Sequence, residues 1–186
     1  MKIEVEKAYN DYTRRNESMS KIAAIMTDFV EDIEVSSPKK ALENAGHEVV
    51  IISDNGKDHV DGKKGTVFSI DRSIEDVDVS SFDALLIPGG FSPDQLRTDE
   101  RYVNFTKKFI DSGKPVFAIC HGPQIFIQAG ATKGRTMTGF TSVRPDLENA
   151  GANVKDEEVV IDNNLITSRT PDDLDAFNKE IVNALK

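Results

Sequence analysis

The residues best suited to chemistry in this chain are Cys120 and His121, which follow directly after an apolar run. Residues 115–119 read PVFAI, and Gly122-Pro123 follows the Cys-His pair. A buried strand that turns sharply into a helix lifts the residue at the turn above the carboxyl edge of a sheet, as in a nucleophile elbow. Cys120 is also the single cysteine of the chain. A lone cysteine is more often a buried core thiol, but its place at this turn favours a catalytic nucleophile.

A thiol attacks a carbonyl carbon as the thiolate, so the surroundings of Cys120 must favour the anion. The start of the following helix supplies partial positive charge and free N–H groups. Glu31, after the first predicted strand, is predicted to supply a protonated carboxyl that hydrogen-bonds the thiolate and is kept neutral by burial beside another anion. His121 leaves the turn in a different direction from the thiol. Its two open roles are a proton shuttle and a residue retained for its backbone amide.

Backbone amides next to the turn are predicted to stabilise the oxyanion of a tetrahedral intermediate. Pro88-Gly89-Gly90 brings backbone without side chains beside Cys120, so the N–H groups of Gly90 and His121 form the predicted oxyanion hole. A glycine turn needed only for close packing is the alternative. Asp94 is interpreted either as an acid that orients His121 from its own or a neighbouring subunit, or as a solvated acid at a helix start. Three scattered histidines and one cysteine do not make a metal site, and neither a metal nor a cofactor is expected.

Strands and helices alternate along the chain, which predicts a doubly wound α/β fold with a mostly parallel sheet and helices on both faces. The strand ends bring Glu31, Gly89-Gly90 and Cys120 to one edge, where such sheets carry their sites. The segment 54–72 has the glycine-punctuated pattern of a β-hairpin excursion. Predicted strands are residues 21–26, 48–53, 83–87, 116–119, 159–161 and 165–168; predicted helices are 31–45, 99–112, one that ends near 129, and one that opens at Thr170-Pro171.

Composition and charge limit the class of protein. The 186 residues are 38% hydrophobic and 30% charged, with a formal net charge of −9, so nucleic acid and membranes are not expected as partners. A single cysteine cannot form an intramolecular disulfide and no apolar run is long enough to span a membrane, which together favour a cytoplasmic protein. Residues 1–18 are predicted to be an N-terminal extension outside a single domain over residues 19–186. A first helix packed on the domain is the equal alternative.

Six segments, in order along the chain, resemble the PfpI family and its general-stress-protein branch. They are Val30 to Glu34 (VEDIE), Phe82 to Gly90 (FDALLIPGG), Ala118 to Gln124 (AICHGPQ), Ala150 to Ala152 (AGA), Glu157 to Asp162 (EEVVID) and Thr167 to Leu174 (TSRTPDDL). The resemblance covers about residues 20–185. The family lies in the superfamily that also holds the Parkinson-associated deglycase and the class I glutamine amidotransferase domains.

The resemblance implies a flavodoxin-like three-layer sandwich with Cys120 as nucleophile and Glu31 hydrogen-bonded to its sulfur. The amides of Gly90 and His121 would donate to the oxyanion. The resemblance also implies a homodimer or higher oligomer, in which an acid from the adjacent subunit approaches His121. Asp94 stands at that position, where family members often carry the longer glutamate, so its reach to His121 is the feature on which a peptidase triad depends.

Three activities are implied by the resemblance, and all begin with thiolate attack on a carbonyl: glyoxalase, deglycase and intracellular peptidase. Aldehydes accept a thiolate more readily than amides do. The favoured expectation is therefore a stress-related hydrolase or lyase whose partners are small reactive carbonyls and glycated protein or nucleotide. A cysteine peptidase is the first alternative, and a non-catalytic redox sensor or chaperone with an oxidisable Cys120 is the second. A glutamine amidotransferase is disfavoured because no histidine follows His121.

Overall fold

A computed structural model describes residues 3–6 and 19–186 and is built around one six-stranded sheet. The strands in the described residues are β1 (Lys21–Ile25), β2 (Glu48–Ile52), β3 (His59–Asp61), β4 (Val67–Ser69), β5 (Ala84–Ile87), β6 (Val116–Ile119), β7 (Thr136–Met137), β8 (Asn153–Val154), β9 (Val159–Asp162) and β10 (Leu165–Ser168). The central sheet has the order β2-β1-β5-β6-β10-β9, and its neighbours are parallel except for the antiparallel edge pair β10–β9. Strands buried on both faces read as continuous apolar runs, as ALLI in β5 and VFAI in β6 do.

Helices cover both faces of the sheet, as the alternation of strands and helices predicts. They are α1 (Asp32–Asn44), α2 (Ser92–Leu96), α3 (Glu100–Asp111), α4 (Gln124–Gln128), α5 (Arg144–Asn149) and α6 (Leu174–Asn183). Alternate residues of β1 enter two separate hydrophobic clusters: Ala23 and Ile25 pack with α3 and α4, while Ile22 and Ala24 pack with α1 and α6. This three-layer arrangement confirms the predicted doubly wound, flavodoxin-like architecture.

The predicted excursion over residues 54–72 contains an antiparallel hairpin of β3 and β4, which folds back against the start of α1. Its turn, residues 62–65, is held by Asp32, whose carboxylate accepts the backbone N–H groups of Lys64 at 2.9 Å and Thr66 at 2.8 Å. Gly62 has no room for a side chain, because a Cβ would lie 2.3 Å from a carboxylate oxygen of Asp32. The contact brings the two lysines of the turn to the edge where β1 ends.

The observed bounds of the predicted strands and helices agree to within one residue, except at the last helix. There Pro171–Asp173 forms a 3-10 turn before α6 begins at Leu174. The sequence did not predict α2, α5, β7 and β8, because segments of two to six residues are too short to show a periodicity.

The predicted extension over residues 1–18 lies, apart from residues 3–6, outside the described residues and stays a prediction. Residues 3–6 are helical, with Ile3 and Val5 exposed. Within the described part of the chain, no helix is long and apolar enough to cross a membrane.

Candidate active site

Cys120 occupies a strained turn at the end of β6. Its φ angle is 62°, in the left-handed region that residues other than glycine rarely adopt. Its N–H donates to Ser168 O at 3.0 Å and its carbonyl accepts the N–H of Phe140 at 2.8 Å, so β10 and the segment before α5 hold the turn. The residue is 8% exposed. The strained turn between strand and helix is the geometry of a nucleophile elbow.

Two glycines allow the backbone to close around the elbow. A Cβ on Gly122 would lie 2.5 Å from Ile87 O, and a Cβ on Gly89 would lie 2.5 Å from Glu34 Oε2 and 3.0 Å from His121 N. The loop after β5 therefore lies directly against the turn that carries Cys120. The backbone N–H of His121 faces the thiol sulfur and stabilises its anionic form. The assignment of the oxyanion hole to the backbone amides of Gly90 and His121 stays a prediction.

Glu34, in the first turn of α1, is the carboxyl that contacts the Cys120 thiol. The side chain is fully buried, and one of its oxygens accepts the N–H of Gly89 at 2.7 Å. The carboxyl also lies close enough to the thiol for each group to affect the pKa of the other. Burial raises the pKa of Glu34 to about 7, with a smaller contribution from the nearby Glu31 carboxylate. A carboxyl with this pKa exchanges protons near neutral pH, which suits acid–base catalysis.

The sequence assigned this contact to Glu31, and the structure corrects that assignment. Glu31 lies one helical turn earlier, immediately before α1, and its carboxylate forms ion pairs with Lys63 Nζ at 2.5 Å and Lys64 Nζ at 2.9 Å. Burial acts against the charge, but the two ammonium groups outweigh it and hold the pKa of Glu31 below its ordinary value. Glu31 is therefore an ionised carboxylate at the rim of the site and does not supply the proton at sulfur.

The charge state of Cys120 is coupled to that of Glu34. Burial raises the pKa of the thiol, and the negative charge of an ionised Glu34 raises it further; Lys63 and the His121 amide act in the opposite direction. The repulsion exists only while Glu34 is ionised. A proton on Glu34 removes it and turns the carboxyl into a hydrogen-bond donor to the thiolate. The titrations of Cys120 and Glu34 are therefore coupled, and a proton on Glu34 favours the thiolate.

His121 lies beside the thiol but does not have the partners of a triad histidine. Its Nδ1 is 3.3 Å from Cys120 Sγ, and its ring stacks on Phe140 with centroids 4.8 Å apart. Burial and the positive charge of Lys63 lower the pKa of His121, against a weaker opposing effect of Asp94. The imidazole is therefore neutral near pH 7, and the stacking restricts its rotation.

Asp94 lines the same cavity but makes no hydrogen bond to His121 within the described residues of one chain. Its side chain is exposed, in the first turn of the short helix α2. The structure thus places Cys120, His121, Gly90 and Asp94 around one cavity, without completing a triad. An acid for His121 from a neighbouring subunit stays a prediction.

The site opens into a cavity of about 600 Å³ whose lining also includes residues that the sequence analysis did not select. These are Glu34, Lys63 and Gln124, together with Phe91 and Phe140. Glu34 had a signal, because it is a second acidic residue three positions after Glu31, in the first turn of α1. Among the described residues no three His, Cys, Asp or Glu side chains gather as a metal-binding group.

Comparison with known proteins identifies similar sequences over almost the whole described chain. The model of the DJ-1/PfpI family matches residues 20–184. "General stress protein 18" of Bacillus subtilis is 57% identical over 162 residues, which cover 86% of this chain and 94% of that protein. "Putative cysteine protease YraA" of the same organism is 58% identical over 166 residues, which cover 89% of this chain and 98% of that protein.

Solved structures share the fold. A two-domain protein with DJ-1/ThiJ/PfpI-like and ferritin-like domains from Anabaena variabilis superposes with a TM-score of 0.87 and 39% identity over 89% of this chain. The present chain spans 48% of that longer protein. DJ-1beta of Drosophila melanogaster superposes with a TM-score of 0.84 and 26% identity, covering 90% of both chains. These similarities agree with the flavodoxin-like architecture described above.

Proposed function

The chain belongs to the DJ-1/PfpI family, and from this membership and the site geometry we propose a stress-related enzyme that uses Cys120 on reactive carbonyls. The proposed substrates are methylglyoxal and the adducts that it forms with proteins or nucleotides. The observation that carries the proposal is the buried Glu34 carboxyl against the Cys120 thiol. With a pKa of about 7, this carboxyl both gives and takes a proton at neutral pH.

The first step is attack on the aldehyde. The reactive pair holds its proton on Glu34 and its negative charge on sulfur. An electron pair of Cys120 Sγ forms the S–C bond, the C=O π electrons move to oxygen, and the oxygen takes the proton from Glu34. The products are a neutral hemithioacetal and the Glu34 carboxylate. The amides of Gly90 and His121 are the proposed donors to the oxygen while it carries charge.

Two tautomerisations and one hydrolysis then complete the conversion of methylglyoxal to lactate. The Glu34 carboxylate takes the proton from the carbon bonded to sulfur, and the neighbouring ketone oxygen takes one from solvent through His121, which gives an enediol. Glu34 then gives its proton to the former ketone carbon, and the hydroxyl proton beside sulfur returns to solvent through His121, which leaves a lactoyl thioester. Water hydrolyses the thioester to lactate and frees the thiol. In total, methylglyoxal and one water give lactic acid without an oxidant or a reductant.

A cysteine peptidase is the second candidate, and the name of the similar protein YraA favours it. Amide cleavage needs an acid that protonates the leaving amine, a role that a histidine paired with a carboxylate fills in cysteine and serine peptidases. His121 has a lowered pKa and no hydrogen bond to Asp94 in the described residues. The geometry within one chain therefore supports aldehyde chemistry better than peptide hydrolysis.

A second copy of the chain is the partner that we propose for the rim of the site. Phe29 and Phe91 are 58% and 55% exposed, and the N–H of Phe91 donates to Phe29 O at 2.9 Å, so the two rings belong to one surface. Exposed aromatic side chains beside a functional site are typical of protein interfaces. In an oligomer this surface would be covered and a second subunit would lie close to His121.

The test compares three substrates with wild type and Cys120→Ser. We expect loss of methylglyoxal and of its N-acetyl-cysteine adduct with wild type alone, and no release of peptides from denatured casein. Casein cleavage that depends on Cys120, without carbonyl turnover, would establish the peptidase and contradict the proposal. Turnover of none of the three, with Cys120 oxidised to a sulfinic acid at low peroxide, would favour the redox sensor instead.

A further inference from the structure

The hairpin of β3 and β4 is a part of the fold that the reaction above does not use. Its strands are anchored by Val60 and Phe68, which are buried in the hydrophobic cluster that also contains Cys120. Its turn is exposed at residues 63–65, yet Lys63 lines the cavity that holds Cys120. Among the described residues, Lys63 is the only lysine or arginine in that lining. The hairpin therefore supplies the site with a cation from outside the central sheet.

The ammonium group of Lys63 interacts with the site through its charge. Its Nζ is 2.5 Å from Glu31 Oε2. This carboxylate raises the pKa of Lys63, and the negative charges of Cys120 and Glu34 raise it further. A lysine side chain is flexible and this one is 45% exposed, so the side chain alone does not fix the place of the charge. The backbone of the turn has to be held as well.

Asp32, the first residue of α1, holds that backbone. The residue is 7% exposed, and its carboxylate accepts the N–H groups of Lys64 at 2.9 Å and Thr66 at 2.8 Å. Burial acts against the charge of Asp32, but the hydrogen bonds from the turn outweigh it and hold the pKa of this carboxyl below its ordinary value. Asp32 is therefore ionised at neutral pH and binds the turn through charge-assisted hydrogen bonds.

We propose that Asp32 is a positioning residue for the nucleophile: by holding the turn of the hairpin, it keeps the ammonium group of Lys63 where it favours the thiolate of Cys120. Asp32 is not among the residues that line the cavity. Its effect on the sulfur therefore passes through the turn. The role concerns the reactivity of the thiol, so it goes beyond the proposed function and holds for any substrate that the thiol attacks.

The sign of the effect distinguishes positioning from the charge of Asp32 itself. A negative charge near a thiol disfavours the thiolate, so neutralising Asp32 without moving the turn would make Cys120 more reactive. Displacing the ammonium group of Lys63 has the opposite effect. Positioning therefore predicts that a neutral residue at position 32 makes Cys120 less reactive.

Two variants break the contact from opposite sides. Asp32→Asn keeps the shape of the side chain but turns an NH₂ group towards one of the two backbone donors. Gly62→Ala conserves every charge and places a Cβ 2.3 Å from Asp32 Oδ1. The measurement is the rate of Cys120 alkylation by iodoacetamide, in which the Sγ–C bond forms as the C–I bond breaks and iodide leaves. We expect both variants to slow alkylation at pH 7 by about threefold, and no more than Lys63→Met does.

Controls and the pH profile separate positioning from a structural role. Asp58→Asn removes a carboxylate that is 98% exposed on the same excursion, and should leave the rate unchanged. The other charged or titratable groups that line the cavity with Cys120 are not substituted in either variant; they are Glu31, Glu34, Lys63, Asp94 and His121. A displaced Lys63 moves the alkylation profile to higher pH. A site that is merely loosened would expose the buried thiol and speed alkylation at every pH.

A double-mutant cycle with Lys63→Met completes the test. In that background neither Asp32→Asn nor Gly62→Ala should slow alkylation further, because no ammonium group remains to be displaced. A folded Asp32→Asn that reacts as fast as wild type or faster would overturn the proposal, and so would a slowing that persists in the Lys63→Met background. If Asp32→Asn does not fold, Gly62→Ala is judged by the same two criteria. If wild type converts no methylglyoxal, the proposed function fails, while the alkylation rates still decide the role of Asp32.

Discussion

Replacing Glu34 with glutamine isolates the free energy stored in the buried carboxyl. Burial raises the pKa of Glu34 from its ordinary value of 4.5 to about 7 in the folded protein. Between these two pH values the folded state binds more protons than the unfolded state, so stability falls as the pH rises through this interval. At about 1.36 kcal/mol per pH unit, ionisation of the buried Glu34 lowers the unfolding free energy above pH 7 by about 3 kcal/mol.

Glutamine is neutral at every pH and keeps an acceptor for the N–H of Gly89. We therefore expect the unfolding free energy of Glu34→Gln to be close to that of wild type at pH 4.5. At pH 8 it should exceed that of wild type by about 3 kcal/mol. Urea unfolding of the reduced proteins at intervals between pH 4.5 and 8 measures the difference, from which the titration of groups that do not interact with Glu34 cancels.

The pH dependence of this difference in unfolding free energy is the result that can refute the reasoning. Glu43→Gln, an exposed position near the end of the same helix, is the control for removing a carboxylate from α1. A Glu34→Gln difference that stays flat over the pH range, or a variant less stable than wild type at pH 8, would show that the folded protein does not hold Glu34 protonated. The stabilised variant should also lose carbonyl turnover by at least 100-fold, since glutamine cannot transfer the proton.

Three further predictions concern the loops around the site. Lys63→Met removes the ammonium group that favours the thiolate. Alkylation of Cys120 at pH 7 should therefore slow severalfold, and by more than in the control variant Lys64→Met. Equal alkylation rates in the two variants would contradict this role of Lys63. Gly89→Ala places a Cβ 2.5 Å from Glu34 Oε2. Because this displaces the carboxyl from the thiol, kcat/KM should fall about 100-fold. Turnover near that of wild type would show that the close approach of Glu34 to Cys120 is not required. Phe29→Asn removes an exposed aromatic ring, and asparagine tolerates the φ angle of 64° at this position. Sedimentation should therefore show a smaller assembly, with an unchanged melting temperature. An assembly of unchanged size would show that this surface is not the interface between subunits.

Sequence predicted the strands and the elbow well because their signals are local. The run VFAI is apolar at every position and is bounded by Pro115 and Cys120, so β6 has the predicted bounds. The glycines at positions 89 and 122 are local signals as well, since tight turns and close approaches between backbone segments favour glycine. Three separate strand ends meet at one edge in any doubly wound sheet, so the general place of the site was also predictable.

No local pattern in the sequence shows whether Glu31 or Glu34 is the carboxyl that contacts the Cys120 thiol. Glu31 stands immediately before α1 and Glu34 in its first turn, and tertiary contacts decide which carboxyl meets the sulfur: Glu34 accepts the N–H of Gly89 in the loop after β5. Glu31 is drawn away by Lys63 and Lys64, which reach it because Asp32 binds the turn of a hairpin some 30 residues later in the chain. The periodicity of the sequence shows neither this long-range contact nor the burial that sets the pKa of Glu34.

The most direct test of the central claim is lactate formation from methylglyoxal in a buffer free of amines and thiols, measured for wild type and Cys120→Ser. The account predicts lactate in proportion to wild-type enzyme and none above background with Cys120→Ser. Equal lactate from both proteins, or none from a folded wild type whose Cys120 still reacts with iodoacetamide, would contradict carbonyl chemistry at this thiol.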